Sequence, residues 1–345
     1  MRIACTVRTG KYYGAENMTV LAAKHMSANH EVFYCSPEGD ICEYLKDAGI
    51  THVPIKKLSI RTLRHLKKTL KPDIFLVLDN KASLTAALAG VPFVSYQQNN
   101  WPFITSFNPY SLGMLFYCLC ARKVIGVTDY IIEEFVFAKY IRNKYTTIVN
   151  VVDYSSVKKL AGEIPKEKTY DLCFFGRMDY QKHPELFVNI VKKTVETHPE
   201  TTAVIVGRGE MHDEINELVA EMGLQDKITF TGFLPNPFEV VKQAKMVAMT
   251  SRWEGFCIAA FEAMYLGLPV IASRVPVLDR NIDDSCGALC DTEDDFYKAI
   301  TELLDDEELY KKKSQGAEAR ALVFGDVEKY AAAMEKVCLE AAEMG

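Results

Sequence analysis

A chain of 345 residues, 49% hydrophobic and 25% charged, is long enough for two domains that each bury a core. No run approaches the roughly 20 apolar residues of a membrane-spanning helix, the nearest being Leu112 to Ala121, and the start from Met1 to Val7 lacks signal-peptide layout and reads as a buried strand. Ten cysteines lie scattered, and Cys118-x-Cys120 and Cys286-x3-Cys290 lack a second pair at metal spacing, so reduced thiols in a cytoplasm are expected, with no metal site.

The formal charge of −6 is unevenly spread. Residues 1–160 hold 20 Lys and Arg against 12 Asp and Glu, a balance of +8; the remainder holds 20 against 34, a balance of −14. Such a split suggests two domains with different partners, the basic half facing something anionic.

In the first half, short apolar runs alternate with helical patterns. Ile3–Val7, Val32–Tyr34, His52–Ile55, Ile74–Leu78, Pro92–Tyr96, Val124–Val127 and Thr146–Val149 read as strands. Strands alternating with helices imply a parallel sheet covered on both faces. Leu160 to Lys168 breaks the pattern as a linker would. A second series follows, with strands at Asp171–Phe175, Thr202–Val206, Lys227–Thr231, Met246–Thr250 and Pro269–Ala272, and with helices such as Glu185–Thr197 and Met211–Met222. The reading is α/β, with two Rossmann-like domains in tandem: 1–160, 161–326, and a last helix at 327–345 that packs on either domain. Ligands are expected at the carboxyl ends of the strands.

The strongest motif runs from Arg252 to Ser273. A strand ends near Thr250, a loop follows, a helix is expected from about Phe256, Gly267 suits its C-terminal cap and Pro269 opens the next strand. Glu254 and Glu262 flank it, separated by seven residues. Gly255 lets backbone approach a ligand, and the first-turn amides suit a phosphate. Glu262 sits among Ala259, Ala260, Phe261, Ala263 and Met264, where a carboxylate is costly unless it has a use such as accepting the vicinal hydroxyls of a ribose.

Here the chain resembles the retaining, GT-B-fold glycosyltransferases of family 4, often called group 1. The Glu-Gly-Phe opening, the Glu-x7-Glu spacing and the Gly-x-Pro-Val-Ile-Ala close carry the resemblance. It implies two Rossmann-like domains facing each other across a cleft. It also implies that Glu254, Gly255, Phe256 and Cys257 hold the donor sugar and phosphates, and Glu262 the ribose.

A second match is the stretch from Phe174 to Glu185, a strand end, Gly176, and then Arg177 and Lys182 ahead of a helix. Cations there want an anion, and they would stabilise charge growing on a departing nucleotide diphosphate without any metal. In the family the equivalents do this; the family also often has Gly where His183 stands. The resemblance brings the turn at Gly207 and the turn at Leu234 to the nucleobase, and Gly14 to the donor phosphate, with Tyr13 replacing one glycine of the family's loop. Near Val94–Trp101 the family often carries a His; here Gln98 or Asn99 stands on the acceptor side and cannot act as a base at neutral pH. Asn150-Val151-Val152-Asp153 resembles the family's hinge.

Two readings stand for Lys56 to Lys71, which holds seven cations and no acid. It is a basic amphipathic helix on an anionic membrane surface, or a solvated helix packing its leucines on its own sheet. The aromatic segment Trp101 to Tyr117 adds a greasy edge for a lipid-linked acceptor, or is core. The function expected is transfer of a hexose-type sugar from a nucleotide diphosphate, UDP before GDP, to a hydroxyl acceptor on a lipid-linked or polysaccharide glycan. No cofactor, metal or nucleic acid is expected. The place is the cytoplasm, with a peripheral position on the inner face of the plasma membrane as one option. A GT-B-fold epimerase or phosphorylase, or a non-catalytic nucleotide-sugar-binding partner subunit, are the alternatives; a dinucleotide dehydrogenase is disfavoured because no Gly-x-Gly-x-x-Gly follows the first strand.

Overall fold

The structure is a computed structural model and describes residues 1–98 and 102–344. The chain divides into two compact units, Met1–Val151 with Asp326–Gly345, and Val152–Gly325.

The first unit alternates β1 (Arg2–Thr6), α1 (Gly14–Met26), β2 (Glu31–Ser36), α2 (Ile41–Asp47), β3 (Thr51–Pro54), α3 (Ile60–Thr69), β4 (Ile74–Leu78), α4 (Asn80–Ala89), β5 (Phe93–Gln97), α5 (Pro109–Cys120), β6 (Lys123–Gly126), α6 (Asp129–Glu134) and β7 (Tyr145–Thr147). Its seven strands form one sheet in the order β3-β2-β1-β4-β5-β6-β7, and every pairing is parallel. β4 and β5 are buried at every position, as unbroken apolar runs such as Ile74–Leu78 require when helices cover both faces.

The second unit follows the same grammar. It comprises α7 (Tyr154–Ala161), β8 (Tyr170–Phe175), α8 (Pro184–Thr197), β9 (Ala203–Val206), α9 (His212–Glu221), β10 (Ile228–Gly232), α10 (Phe238–Val241), β11 (Ala244–Met249), α11 (Ile258–Tyr265), β12 (Val270–Ser273), α12 (Pro276–Asp279), β13 (Gly287–Cys290), α13 (Glu293–Asp305) and α14 (Glu307–Ala321). Its six parallel strands run β10-β9-β8-β11-β12-β13. The order reverses between β8 and β11, and the crevice beyond the carboxyl ends of those two strands is where such sheets place ligands.

The last helix, α15 (Val327–Glu343), belongs to the first unit and packs along α1. Its Tyr330 hydroxyl donates to the Met18 carbonyl at 3.0 Å and lies 2.8 Å from the Tyr96 hydroxyl. The helix Tyr154–Ala161, whose end overlaps the linker expected from Leu160, lies wholly in the second unit. All ten cysteines are free, eight of them buried, with Cys42 partly buried and Cys120 exposed. No helix among the described residues is long and apolar enough to cross a membrane.

Candidate functional site

The loops after β8 and β11 meet at the point where strand order reverses. Backbone carbonyls stitch them together: the Arg252 amide donates to the Gln181 carbonyl (2.8 Å), Gln181 Nε2 donates to the Trp253 carbonyl (3.0 Å), and Thr250 Oγ1 donates to the Lys182 carbonyl (2.9 Å). The Arg252 guanidinium lies 4.1 Å over the Tyr180 ring and fixes the rim.

This frame brings Lys182 and Glu254 together. Lys182 Nζ stands 2.5 Å from Glu254 Oε1, with side-chain exposures of only 13% and 5%. Ser251 Oγ donates to the same oxygen at 2.6 Å. Burial alone would lower the Lys182 ammonium, but attraction by Cys257 and Glu254 outweighs it and holds the ammonium above its ordinary value. Burial first, and then Glu254, pushes the Cys257 thiol up to about 12, so it is neutral at pH 7 and Glu254 supplies the attracting charge. Arg177 stands at the edge, 46% exposed, with Nη1 2.9 Å from Asp179 Oδ2. Asp179 in turn accepts from the Lys182 amide at 3.0 Å. One buried and one exposed cation thus flank the same loop.

The helix after Glu254 begins two residues later than Phe256. Phe256 instead turns into the core, stacked on Phe261 with centroids 4.5 Å apart, and the N-cap is Cys257 in the left-handed region at φ 69°. No side chain caps α11, so its first-turn amides keep the capacity to bind an anion. Gly267 closes the helix at φ 76°, the left-handed C-terminal position that its sequence position suggests. His183, the N-cap of α8, is also left-handed at φ 52°, which gives a steric reason for the family's glycine there.

In the second turn of α11, Glu262 is only partly exposed, beside Tyr154 and Tyr265, whose rings stack 4.3 Å apart. The Tyr154 hydroxyl donates elsewhere, to the Ala321 carbonyl at 2.6 Å. Among the described residues no side-chain hydrogen bond reaches the Glu262 carboxylate, and burial pushes it from 4.5 up to about 7. A carboxyl enclosed but unpartnered is placed to accept from a ligand.

The remaining positions divide. Gly207 is at φ 138°, and a Cβ there would stand 1.9 Å from the Gly176 carbonyl oxygen; at Gly209 it would stand 1.9 Å from that of Met178. Close packing of the two turns therefore demands these glycines before any ligand does. Leu234 is partly buried against the cluster that holds Phe256 and Phe261. In the first unit Gly14 is the exposed first residue of α1, and the steric demand in that loop falls on Gly10, whose Cβ would meet the Glu38 carbonyl oxygen at 2.2 Å. Gln98 is buried and exchanges both amide groups with Asn150, at 3.2 and 2.7 Å. Asn99 lies outside the described residues.

Sequence reasoning missed Ser251, whose position three residues before Glu254 is its only local signal. It also missed Tyr154, which reaches Glu262 from a distant helix and left no signal.

Residues 158–320 match the family model described as glycosyl transferases group 1. An uncharacterized glycosyltransferase of Methanocaldococcus jannaschii is 27% identical over 253 residues, covering 70% of this chain but only 59% of that protein. A UDP-Gal:alpha-D-GlcNAc-diphosphoundecaprenol alpha-1,3-galactosyltransferase of Escherichia coli is 25% identical over 80% of each chain. The crystal structure of Anabaena HepE in complex with UDP and glucose superposes with a TM-score of 0.82 at 19% identity, covering 97% of this chain and 98% of that one. The chain therefore has the GT-B fold, and its residues 158–320 are similar to the group 1 glycosyl transferases.

Proposed function

We propose that the protein is a retaining hexosyltransferase of family 4, moving a sugar from a UDP-sugar to a hydroxyl on a lipid-linked or polysaccharide glycan. The observation that carries the reading is the division of labour along one loop and helix: Glu254 is clamped by Lys182 and Ser251, while Glu262 has its carboxyl enclosed and unpartnered. Glu262 would accept the ribose hydroxyls, and the turns at Gly207 and Leu234 would border the base. The amides after Cys257 and the cations Lys182 and Arg177 would take the diphosphate.

As the bond from the anomeric carbon to the phosphate oxygen breaks, negative charge grows on the diphosphate. Lys182, held protonated in a site shielded from water, meets that charge without reorganisation. Glu254 keeps the ammonium aimed and offers its second oxygen to a sugar hydroxyl. The acceptor oxygen bonds to the anomeric carbon on the face the phosphate leaves, and its proton passes to the departing phosphate, so neither an added base nor a metal is used. The E. coli relative, which acts on a diphosphoundecaprenol-linked sugar from UDP-Gal, supports a UDP donor and a lipid-linked acceptor.

The test is a thermal-shift panel of UDP- and GDP-sugars, followed by transfer to a polyprenyl-diphosphate-linked sugar and NMR assignment of the new anomeric centre. An inverted product, or turnover that survives both Glu262→Gln and Arg177→Ala, would sink the assignment.

A further inference from the structure

We infer that the α3–α4–α5 face of the first unit is a docking surface for an anionic lipid bilayer, with α5 as its apolar wedge and α3 as its cationic flank. The proposal rests on the lipid-linked acceptor reading, and its test reads vesicle binding, with transfer serving only to separate the two.

From Pro109 to Cys120, α5 contains no charged residue. Ser111, Met114, Tyr117 and Cys118 face inward and are buried, as a helix on its own sheet requires. The outward side is equally apolar: Tyr110 is 63%, Phe116 43% and Leu119 50% exposed. A surface helix normally turns polar residues to water, and two apolar sides on one helix mark a second burial event. The patch continues beyond the helix. Phe103 stacks on Tyr110 with centroids 5.5 Å apart, and Phe107, 72% exposed, meets Phe137 edge-on at 5.9 Å.

Next to it, α4 packs on α5 and turns Leu84 and Leu88 outward, and α3 packs on α4. On α3, Leu63 and Leu66 are buried, while Arg64 and Lys67 donate to the Ala89 and Gly90 carbonyls at the end of α4, at 3.2 and 3.3 Å. Arg61 and Lys68 stand exposed on its outer side. The leucines of this helix thus pack on the unit, as the solvated-helix reading expects, while Arg61 and Lys68 face out.

Charge decides the occupant. No Asp or Glu occurs between Asp47 and Asp73, or between Asp79 and Asp129. Asp73 accepts from the Arg2 amide and Asp79 caps α4 and pairs with Arg8, so both are engaged within the unit. No side chain on α3, α4 or α5 is acidic, the exposed Glu133 and Glu134 belonging to α6, and this balance complements a surface of phosphate headgroups over hydrocarbon. A second copy docking the same face about a twofold axis would set cations against cations.

The full chain is sedimented with vesicles of equal parts phosphatidylglycerol and phosphatidylcholine, and with phosphatidylcholine alone. Binding is expected to the anionic vesicles, weakening as salt rises. Arg61→Glu with Lys68→Glu, and separately Phe107→Ser with Phe116→Ser, should each weaken it by about tenfold or more, while melting temperature and the thermal shift given by UDP stay as in the wild type. A wild type left in the supernatant, variants that bind unchanged, or a dimer in sizing that the serine variant splits would each overturn the proposal. If transfer to a detergent-solubilised acceptor persists while vesicle binding is absent, the docking surface falls and the transferase reading stands.

Discussion

Glu262→Gln separates the cost of the candidate ribose carboxylate from its use. Burial raises this carboxyl from 4.5 to about 7, so the folded chain holds the proton more tightly than the unfolded chain does. The stabilisation is complete below pH 4.5 and is lost as pH rises through 7. At 1.36 kcal/mol per pH unit the gap is about 3 kcal/mol, and the partial exposure of the side chain brings it to about 2 to 3 kcal/mol. The amide cannot ionise and is spared that loss. Wild type and Glu262→Gln should therefore melt together near pH 4.5 and diverge by roughly 5 to 10 °C at pH 8, the variant being the more stable. The same variant should bind UDP more weakly at every pH above 7, because the carboxylate accepts two hydroxyls where the amide oxygen accepts less well. Melting curves across pH, with and without UDP, measure both. A difference in melting temperature that stays constant from pH 4.5 to 8, or a variant destabilised at pH 8, would refute the reasoning.

Lys182→Met leaves Glu254 buried without its cation and should cost about 3 to 5 kcal/mol in urea unfolding; Lys182→Met with Glu254→Leu should recover most of that stability while transfer stays absent. His183→Gly relieves a left-handed residue whose ring lowers no barrier in the proposed mechanism, and should raise stability by about 1 kcal/mol with turnover unchanged. Since the proposed charge stabilisation comes from Lys182, Arg177 and backbone amides, transfer should continue in excess EDTA, and a dead enzyme restored by Mg²⁺ would count against it.

The candidate site was legible where its signals are local. The strand, loop, helix and strand around Glu254 and Glu262 are punctuated by Gly267 and Pro269, residues whose backbone limits act within a few positions. β13 was missed because Gly287–Cys290 is short and opens on a glycine, and that glycine is there for a distant reason: its Cβ would stand 1.9 Å from the Val270 carbonyl oxygen on the neighbouring strand. The start of α11 was placed two residues early because Cys257 takes a left-handed conformation that its residue type does not announce. Gln98 looked like an open polar group in sequence. Its partner Asn150 is 52 residues away, and only the fold pairs them.

The return of α15 to the first unit has a bearing on how the chain is made. The hydroxyl of Tyr330 joins Met18 and Tyr96, and Tyr96 donates to Asn150 at 3.1 Å, so the buried polar thread of the first unit runs through a residue near the end of the chain. A ribosome delivers the whole second unit before it delivers that helix. The first unit is thus completed only after the second has been made, because the helix that fills its place against α1 follows the second unit in the sequence.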